Sequence, residues 1–392
     1  MRILIATDLF PPVINGVSTF SKNLAEGLAK RGHEVVVIAP SQQGKKMVEK
    51  EHGYIVERTS SLKFPFYQNL RISTTPGREV RRIIKKYDPD VIHIQMVLGI
   101  GYAVLQAAQK MKIPLVSTNH AIPENVVENI RLLAPLSRPI STLLEHYAMR
   151  FHSNADFLTA PTQAAINMFG DKYASVKKPI QAVSNGIDLS IFSSKEPDES
   201  IYKKYSIPKN VPIILYVGRL DGEKHLHVLL RAVQEVMAYK KCHVVLVGGG
   251  VESDSLKVLS TKLGIAHHTT FTGKVSDADL VELYRTGTVF GMPSPAELQS
   301  IATLEAMASG LPIVAVNKGA LHELCQDGKN GYLFKYDDSH MMAGAMLKIL
   351  KNKSLRSQMS KVSVEIAQKH DLTHTLETFE KIYSHVIKRN RQ

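Results

Sequence analysis

Two glutamates, Glu297 and Glu305, stand with seven residues between them. The first follows Pro293-Ser294-Pro295 and falls in a loop, and the second falls inside the helix that comes next. A helix start points unpaired backbone N–H groups at such a loop, which makes an anion site suited to the phosphates of a donor whose hydroxyls the two carboxylates could grip. Two isolated glutamates fit a solvated helix surface equally well. Arg219 and Lys224 follow an expected strand at 213–217, at the C-terminal edge of a parallel sheet, where such sites form. An Arg can fork across two oxygens and a Lys serves as a compact point charge. Taken alone, both could be surface cations. Gly16 stands in the first βα turn and would let the backbone approach a phosphate closely; an ordinary turn glycine remains the other reading.

The elements that must position these residues follow from apolar patterning. Apolar runs at 3–6, 35–38, 91–94, 115–118 and 157–160 suit buried strands of a parallel sheet covered on both faces. Helical periodicity separates them, at 17–30, where Val17, Phe20, Leu24 and Leu28 share one side, and at 77–86. The pattern restarts with strands expected at 213–217, 243–247, 270–272, 289–292 and 313–316 and a helix at 226–237. Two βαβ-type sheets in an α/β chain are the expected result. The polar, proline-containing stretch 189–212 carries the connection between them. The last helix presents a stripe of Leu376, Phe379, Ile382, Tyr383 and Val386, which must pack on something.

With 392 residues, 44% hydrophobic and 22% charged, the composition excludes a disordered, collagen-like or coiled-coil chain and favours two domains. The net charge of +13 and pI near 9.5 imply an acidic partner; nucleic acid, an anionic membrane and a phosphorylated small molecule all fit. Residues 1–190 hold eight of the excess positive charges and 191–392 hold five, so the excess leans to the first half. A nucleic-acid-binding protein would explain the charge, but no recognition motif with interleaved aromatics is present and there is no Trp, so nucleic acid is not the expected partner. Cys242 and Cys325 are too few for a disulfide framework. The apolar start 3–6 is too short for a signal peptide, and 91–109 carries His93, Gln95, Gln106 and Gln109, which makes a poor spanning helix. The expected location is cytoplasmic. Asp88-Pro89-Asp90 and Asp277-Ala278-Asp279 have a metal-like spacing but read as caps and turns, so no metal site is expected. Gly248-Gly249-Gly250 lacks the full spacing of a dinucleotide fingerprint.

Glu297 and Glu305, continued by Ala306-Met307-Ala308-Ser309-Gly310-Leu311-Pro312, resemble the paired-glutamate motif of the family 4 retaining glycosyltransferases. Further matching pieces are the opening strand, Pro11-Pro12-Val13-Ile14-Asn15-Gly16, Arg31-Gly32-His33-Glu34-Val35, Asp88 to Ile94, Asn185-Gly186-Ile187-Asp188, Gly218 to Lys224, and Asp327 to Tyr332. The resemblance covers essentially the full chain. It implies the GT-B fold, two Rossmann-like α/β domains with parallel sheets facing an interdomain cleft. Residues 1–189, completed by the helix 374–392, would form the acceptor-side domain and 190–373 the nucleotide-sugar-binding domain. The implied reaction is retaining, metal-independent transfer of a hexose from a nucleotide-diphosphate sugar, a co-substrate that leaves no need for a cofactor. A leaving diphosphate without a metal needs fixed cations and backbone dipoles to offset its charge.

By the same resemblance, Glu305 would bind the ribose hydroxyls, Glu297 the transferred hexose, and Arg219 with Lys224 would clamp the diphosphate. His120, after the strand 115–118, resembles the N-domain histidine beside the donor sugar. The family mechanism is same-face attack with the departing phosphate assisting proton removal, so no protein nucleophile and no double-displacement carboxylate pair are expected. Nucleotide-sugar epimerases and phosphorylases share the GT-B frame, but the glutamate pair and its continuation argue against them.

The sequence departs from the family at two places. The usual Phe-Gly pair after the first glutamate is Gln299 and Ser300, which join the expected donor-binding set and leave donor identity open. The usual paired glycine of the first loop is Asn15-Gly16, which leaves one flexible position. The stretch 78–86 carries five basic residues and one acidic. Together with Phe64 to Tyr67, Arg71 and the mixed apolar and basic segment 130–138, it suggests an N domain that docks on an anionic bilayer. This is similar to members that glycosylate phosphatidylinositol or diacylglycerol, and it implies a lipid acceptor at the inner face of the cell membrane. A solvated helix face and ordinary core residues would account for the same stretches.

Overall fold

The structure is a computed structural model that describes residues 1–13, 15–64, 70–74, 76–120, 137–174 and 176–392. It divides into two compact units, Met1–Gly186 with Leu372–Gln392, and Ile187–Asp371.

The first unit contains β1 (Arg2–Ala6), β2 (Glu34–Pro40), β3 (Met47–Glu51), β4 (Tyr54–Thr59), β5 (Ser61–Lys63), β6 (Arg71–Ser73), β7 (Val91–Ile94), β8 (Leu115–Thr118), β9 (Phe157–Ala160) and β10 (Ile180–Ala182). Eight of these form one sheet in the order β10-β9-β8-β7-β1-β2-β4-β3, with β5 and β6 paired as a separate ribbon. Every neighbouring pair in the large sheet is parallel except β3 on β4. That edge corrects the expectation of a purely parallel sheet. Strand β3 has no buried residue to mark it in the sequence. Its hairpin closes at His52 and Gly53, both left-handed with φ of 35° and 90°, as a two-residue hairpin turn requires.

One face of this sheet is covered by the helices Pro76–Tyr87 and Gly99–Met111. They bury Val80, Ile83, Ile84, Ile100 and Val104 against Leu4, Ala6, Ile92 and Ile94. Burying each such side chain contributes about 1.5–3 kcal/mol. The chain's last helix, Leu372–Asn390, returns to this unit and answers what the apolar stripe packs on. Phe379 lies 5.9 Å from Phe20 of the helix Gly16–Lys30, ring centre to ring centre. The two helices are so close that a Cβ on Gly27 would lie 2.6 Å from Leu376 Cδ1. At the rim, Glu380 accepts hydrogen bonds from Arg31 at 3.0 and 2.9 Å and lies 2.7 Å from His33 Nε2.

A buried polar chain ties that helix to the strands. His93 Nδ1 is 2.7 Å from Tyr383 Oη, its Nε2 is 2.6 Å from Thr118 Oγ1, and Thr118 Oγ1 is 2.6 Å from Thr159 Oγ1. Burial holds His93 well below the usual histidine range, with His120 adding to the effect, so the ring stays neutral and donates through only one nitrogen.

The second unit holds β11 (Ile213–Val217), β12 (His243–Val247), β13 (Thr269–Gly273), β14 (Val289–Met292), β15 (Ile313–Val316) and β16 (Gly331–Phe334). They form one parallel sheet in the order β13-β12-β11-β14-β15-β16. Counted along the chain this is the order 3-2-1-4-5-6 of a doubly wound nucleotide-binding sheet. The order reverses between β11 and β14, and a crevice opens at the C-terminal ends of strands at such a reversal. Among the described residues no helix is long and apolar enough to cross a membrane.

Replacing Tyr383 by Phe leaves one nitrogen of buried His93 without its partner. The urea midpoint of the variant should fall by an amount equivalent to about 1–3 kcal/mol, with the far-ultraviolet spectrum unchanged.

Candidate active site

The turns at the reversal point of the second sheet are built backbone to backbone. Gly218 follows β11 with φ of 152°, and Gly248 follows β12 with φ of 126°. A Cβ on Gly248 would lie 2.1 Å from Gly218 O, so neither an ordinary side chain nor an ordinary conformation fits there. This brings Arg219 and the short turn Gly222–Lys224 to the C-terminal end of β11. From that turn Lys224 Nζ reaches across to Glu297 Oε1, 2.7 Å away in the loop after β14, and lies 3.5 Å from Glu223 Oε1. The Lys224 and Glu297 side chains keep only 15% and 13% of their exposure. Burial would lower the Lys224 pKa, but Glu297 and then Glu223 outweigh it and raise it. Lys224 is a fixed cation.

Arg219 forks in the other direction, with Nη1 on Asp221 and Nη2 on Glu223. Arg219 and Lys224, the expected diphosphate clamp, therefore sit in a cluster in which they are matched by Asp221, Glu223 and Glu297. The sequence spacing shows the cations but not that their own loop supplies counter-ions.

Glu305 lies on the helix Ile301–Ala308, which starts between the two glutamates. The cap is Ser300, whose Oγ accepts from Thr303 N at 3.2 Å and from Thr303 Oγ1 at 2.8 Å. The hydroxyl expected to face a donor is thus engaged in holding the helix start. Gln299, beside it, is buried. Glu305 Oε2 accepts a hydrogen bond from Tyr284 Oη at 2.6 Å. Burial pushes the Glu305 carboxyl up to about 7, with the Tyr284 bond pulling the other way. Tyr284 comes from the helix Asp277–Thr286, where only its burial distinguishes it and no motif points to it.

The first sheet reverses its order between β1 and β7, and three residues gather chemistry there. His120 Nε2 lies 2.8 Å from Gln95 Oε1 and the ring sits 4.8 Å from that of Phe20. Gln95 Oε1 can only accept, so Nε2 carries the proton and Nδ1 keeps its lone pair. Burial, with His152 adding to it, pushes His120 down to about 3; it is neutral at pH 7. Asp8, just beyond β1, accepts the N–H of Ile100 at 3.1 Å and of Gly101 at 3.5 Å. Burial raises it to about 6 against those bonds. Gln95 and Asp8 carry no sequence signal of their own. Gly16 is the first residue of its helix, and Asn15 caps that helix by accepting from Ser18 N at 2.8 Å. The Asn in place of a glycine is a helix cap, which is a positive use of the side chain rather than a lost flexible position.

Other sequence features have structural roles. Asp88 and Asp90 both pair with Arg2, at 2.8 and 3.0 Å, and Asp279 pairs with Lys204 at 2.7 Å. In the basic helix, Val80, Ile83 and Ile84 belong to the core, while Arg82 and Lys86 converge on buried Glu57 at 3.1 and 2.8 Å. Its apolar face is therefore internal, and Arg78, Arg81 and Lys85 remain exposed. Arg71 donates to Ser61 Oγ at 2.9 Å and Ser61 O at 3.0 Å. Residues 65–67 and 130–136 lie outside the described residues. Leu62 and Ile72, paired across the β5–β6 ribbon, are 67% and 45% exposed.

Comparison with known proteins names the fold and the activity. The family model described as Glycosyltransferase Family 4 matches residues 14–191, and Glycosyl transferases group 1 matches 197–364. A GDP-mannose-dependent alpha-mannosyltransferase of Mycolicibacterium smegmatis is 30% identical over 86% of this chain and 85% of its own length. The chain belongs to the family 4 glycosyltransferases. An alpha-monoglucosyldiacylglycerol synthase of Streptococcus pneumoniae is 27% identical to this glycosyltransferase over 89% of the chain and 78% of its own. In fold it resembles the sucrose-phosphate synthase structure from Thermosynechococcus elongatus, with a TM-score of 0.81, 19% identity and coverage of 99% and 100% of the two chains. This GT-B glycosyltransferase is a hexosyltransferase that uses a nucleotide sugar.

The Glu305 carboxyl gives this glycosyltransferase a measurable pH signature. Its folded pKa, about 7, lies above the ordinary value of a glutamate carboxyl. Its share of stability is present below the unfolded pKa and is lost as pH rises through the folded one. Glu305→Gln should therefore gain stability relative to the parent between pH 5 and pH 8, by about 1–3 kcal/mol in urea unfolding.

Proposed function

We propose that this enzyme transfers a hexose with retention, without a metal, from a nucleotide-diphosphate sugar to a membrane lipid. The observation that carries this reading is the buried Lys224–Glu297 bridge at the reversal point of the second sheet. In the proposed complex the donor enters this cluster. Lys224 and Arg219 turn to the diphosphate, and Glu297, released from Lys224, accepts from hydroxyls of the hexose. Asp221 and Glu223 hold both arms of the Arg219 fork, so a phosphate must replace them as partners when Arg219 turns to it. Glu305 accepts the ribose hydroxyls with the oxygen that Tyr284 leaves unused, and Gln299 joins the donor-binding set from the loop that carries Glu297. Backbone N–H groups at the start of the helix after Gly16 add a partial positive charge. His120, neutral with a free lone pair at Nδ1, accepts a hydrogen bond from a sugar hydroxyl rather than acting as a cation.

Support for the lipid acceptor comes from the alpha-monoglucosyldiacylglycerol synthase relative and from the exposed Leu62 and Ile72. The exposed Arg78, Arg81 and Lys85 supply charge for an anionic bilayer. Since Arg82 and Lys86 hold Glu57, they are not part of this proposed contact. The proposed location is the inner face of the cell membrane, with the domains assigned as acceptor-side for the first unit and donor-side for the second.

A donor screen with UDP-glucose, UDP-galactose and GDP-mannose, using lipid extracts as acceptor and NMR of the purified product, tests the reaction. An α-linked glycolipid formed in the presence of chelator is expected; an inverted linkage or a strict metal requirement would contradict it. Lys224→Ala should lower kcat/KM by roughly 10²–10³-fold, the scale of losing one transition-state contact. Donor affinity should rise from pH 6 to pH 8 as Glu305 ionises, and Glu305→Gln should flatten that profile. Liposome flotation of Arg78→Glu/Arg81→Glu/Lys85→Glu should show reduced binding to anionic vesicles, and unchanged flotation would remove the membrane contact.

A further inference from the structure

His225 and His227 stand on either side of Leu226, away from the two Asp-x-Asp strings. That pair opens the helix Leu226–Met237, and Asp337, in the turn after β16, meets it. One ligand atom from each of His225, His227 and Asp337 lies within 4.8 Å of the others. We propose that these three residues form a binding site for a divalent transition metal of the zinc class.

Local structure does not account for the histidine at 225. It occupies the cap position of the helix with a left-handed φ of 49°, makes no side-chain cap bond, and buries its Nδ1 with no hydrogen-bond partner. Glycine or asparagine would hold such a position with less strain. Its other nitrogen, Nε2, has only a long contact of 3.4 Å with Tyr336 Oη. His227 Nε2 is 3.1 Å from Asp337 Oδ1, and the two imidazoles sit 5.4 Å apart. Asp337 is also left-handed, with φ of 61°.

Two imidazoles and one carboxylate are the ligands that zinc, cobalt and nickel prefer, whereas calcium and magnesium require oxygen sets. Bond lengths of about 2.0–2.2 Å require the three groups to draw together. The His227 and Asp337 side chains are 43% and 58% exposed and have room to do so. Water, or the Tyr336 hydroxyl, completes the coordination. The site lies one peptide bond beyond Lys224, so the test omits nucleotide and its outcome is independent of the donor-site reading.

Untagged protein, freed of metal with chelator, is titrated with Co²⁺ and followed by its visible d–d absorption, then challenged with Zn²⁺. One equivalent of Co²⁺ should bind and be displaced by Zn²⁺. His225→Ala, His227→Ala and Asp337→Asn should each weaken binding at least about 10-fold, while the surface control His340→Ala should not. Absence of the absorption at millimolar Co²⁺, or equal affinity in all four variants and the parent, overturns the site. Circular dichroism of each variant establishes that a loss is not a loss of fold.

Discussion

The buried ion pair between Lys224 and Glu297 is the constraint on which the site depends. Two largely buried charges are tolerated when each has a partner and additional hydrogen bonds, and removing one leaves the other stranded. Here the pair joins the loop after β11 to the loop after β14, across the point where the strand order reverses. The surrounding carboxylates outnumber the cations, because Arg219 is also held by Asp221 and Glu223. In the function proposed above, a ligand exchanges into this cluster, its negative charge taking the place of the carboxylates on the cations and its hydroxyls taking the place of Lys224 on Glu297. The glycines that follow β11 and β12 make the arrangement possible by letting two backbones touch.

The same logic appears in the first unit with different chemistry. Its sheet also reverses order, between β1 and β7, but the groups gathered there are Asp8, Gln95 and neutral His120 rather than an ion cluster. Burial dominates each of their shifts, upward for the carboxyl and downward for the imidazole. The last helix holds this unit together through Tyr383 and Phe379, so a segment at the end of the sequence supports strands near its beginning. One sheet thus gathers an ion cluster at its reversal point and the other gathers neutral polar groups and a buried carboxyl.

Much of the fold is legible in the sequence because parallel strands buried on both faces read as apolar runs. The runs at 91–94, 115–118, 157–160, 213–217, 243–247, 289–292 and 313–316 are strands with the same bounds. Strand β3 is not legible, since an antiparallel edge strand made of Glu, Lys and half-exposed residues has no apolar run to show. Strand β16 is only four residues long and starts on a turn-like glycine, so its short run Tyr332-Leu333-Phe334 does not stand out as a strand. In the site, spacing points to the charged residues but not to their partners. Tyr284 beneath Glu305, Gln95 beside His120 and the counter-ions of Arg219 are tertiary contacts. The basic helix is legible as charge, yet only the fold distinguishes Arg82 and Lys86, which pair with buried Glu57, from Arg78, Arg81 and Lys85.

The central claim is that Glu297 and a bound diphosphate compete for Lys224. It is tested most directly by a double-mutant cycle on the affinity for UDP and GDP without a sugar attached, measured by calorimetry. Glu297→Gln alone should tighten nucleoside diphosphate binding several-fold, Lys224→Ala should weaken it, and in the Lys224→Ala background Glu297→Gln should have little effect. Weakening by Glu297→Gln, or two effects that simply add, would contradict the account.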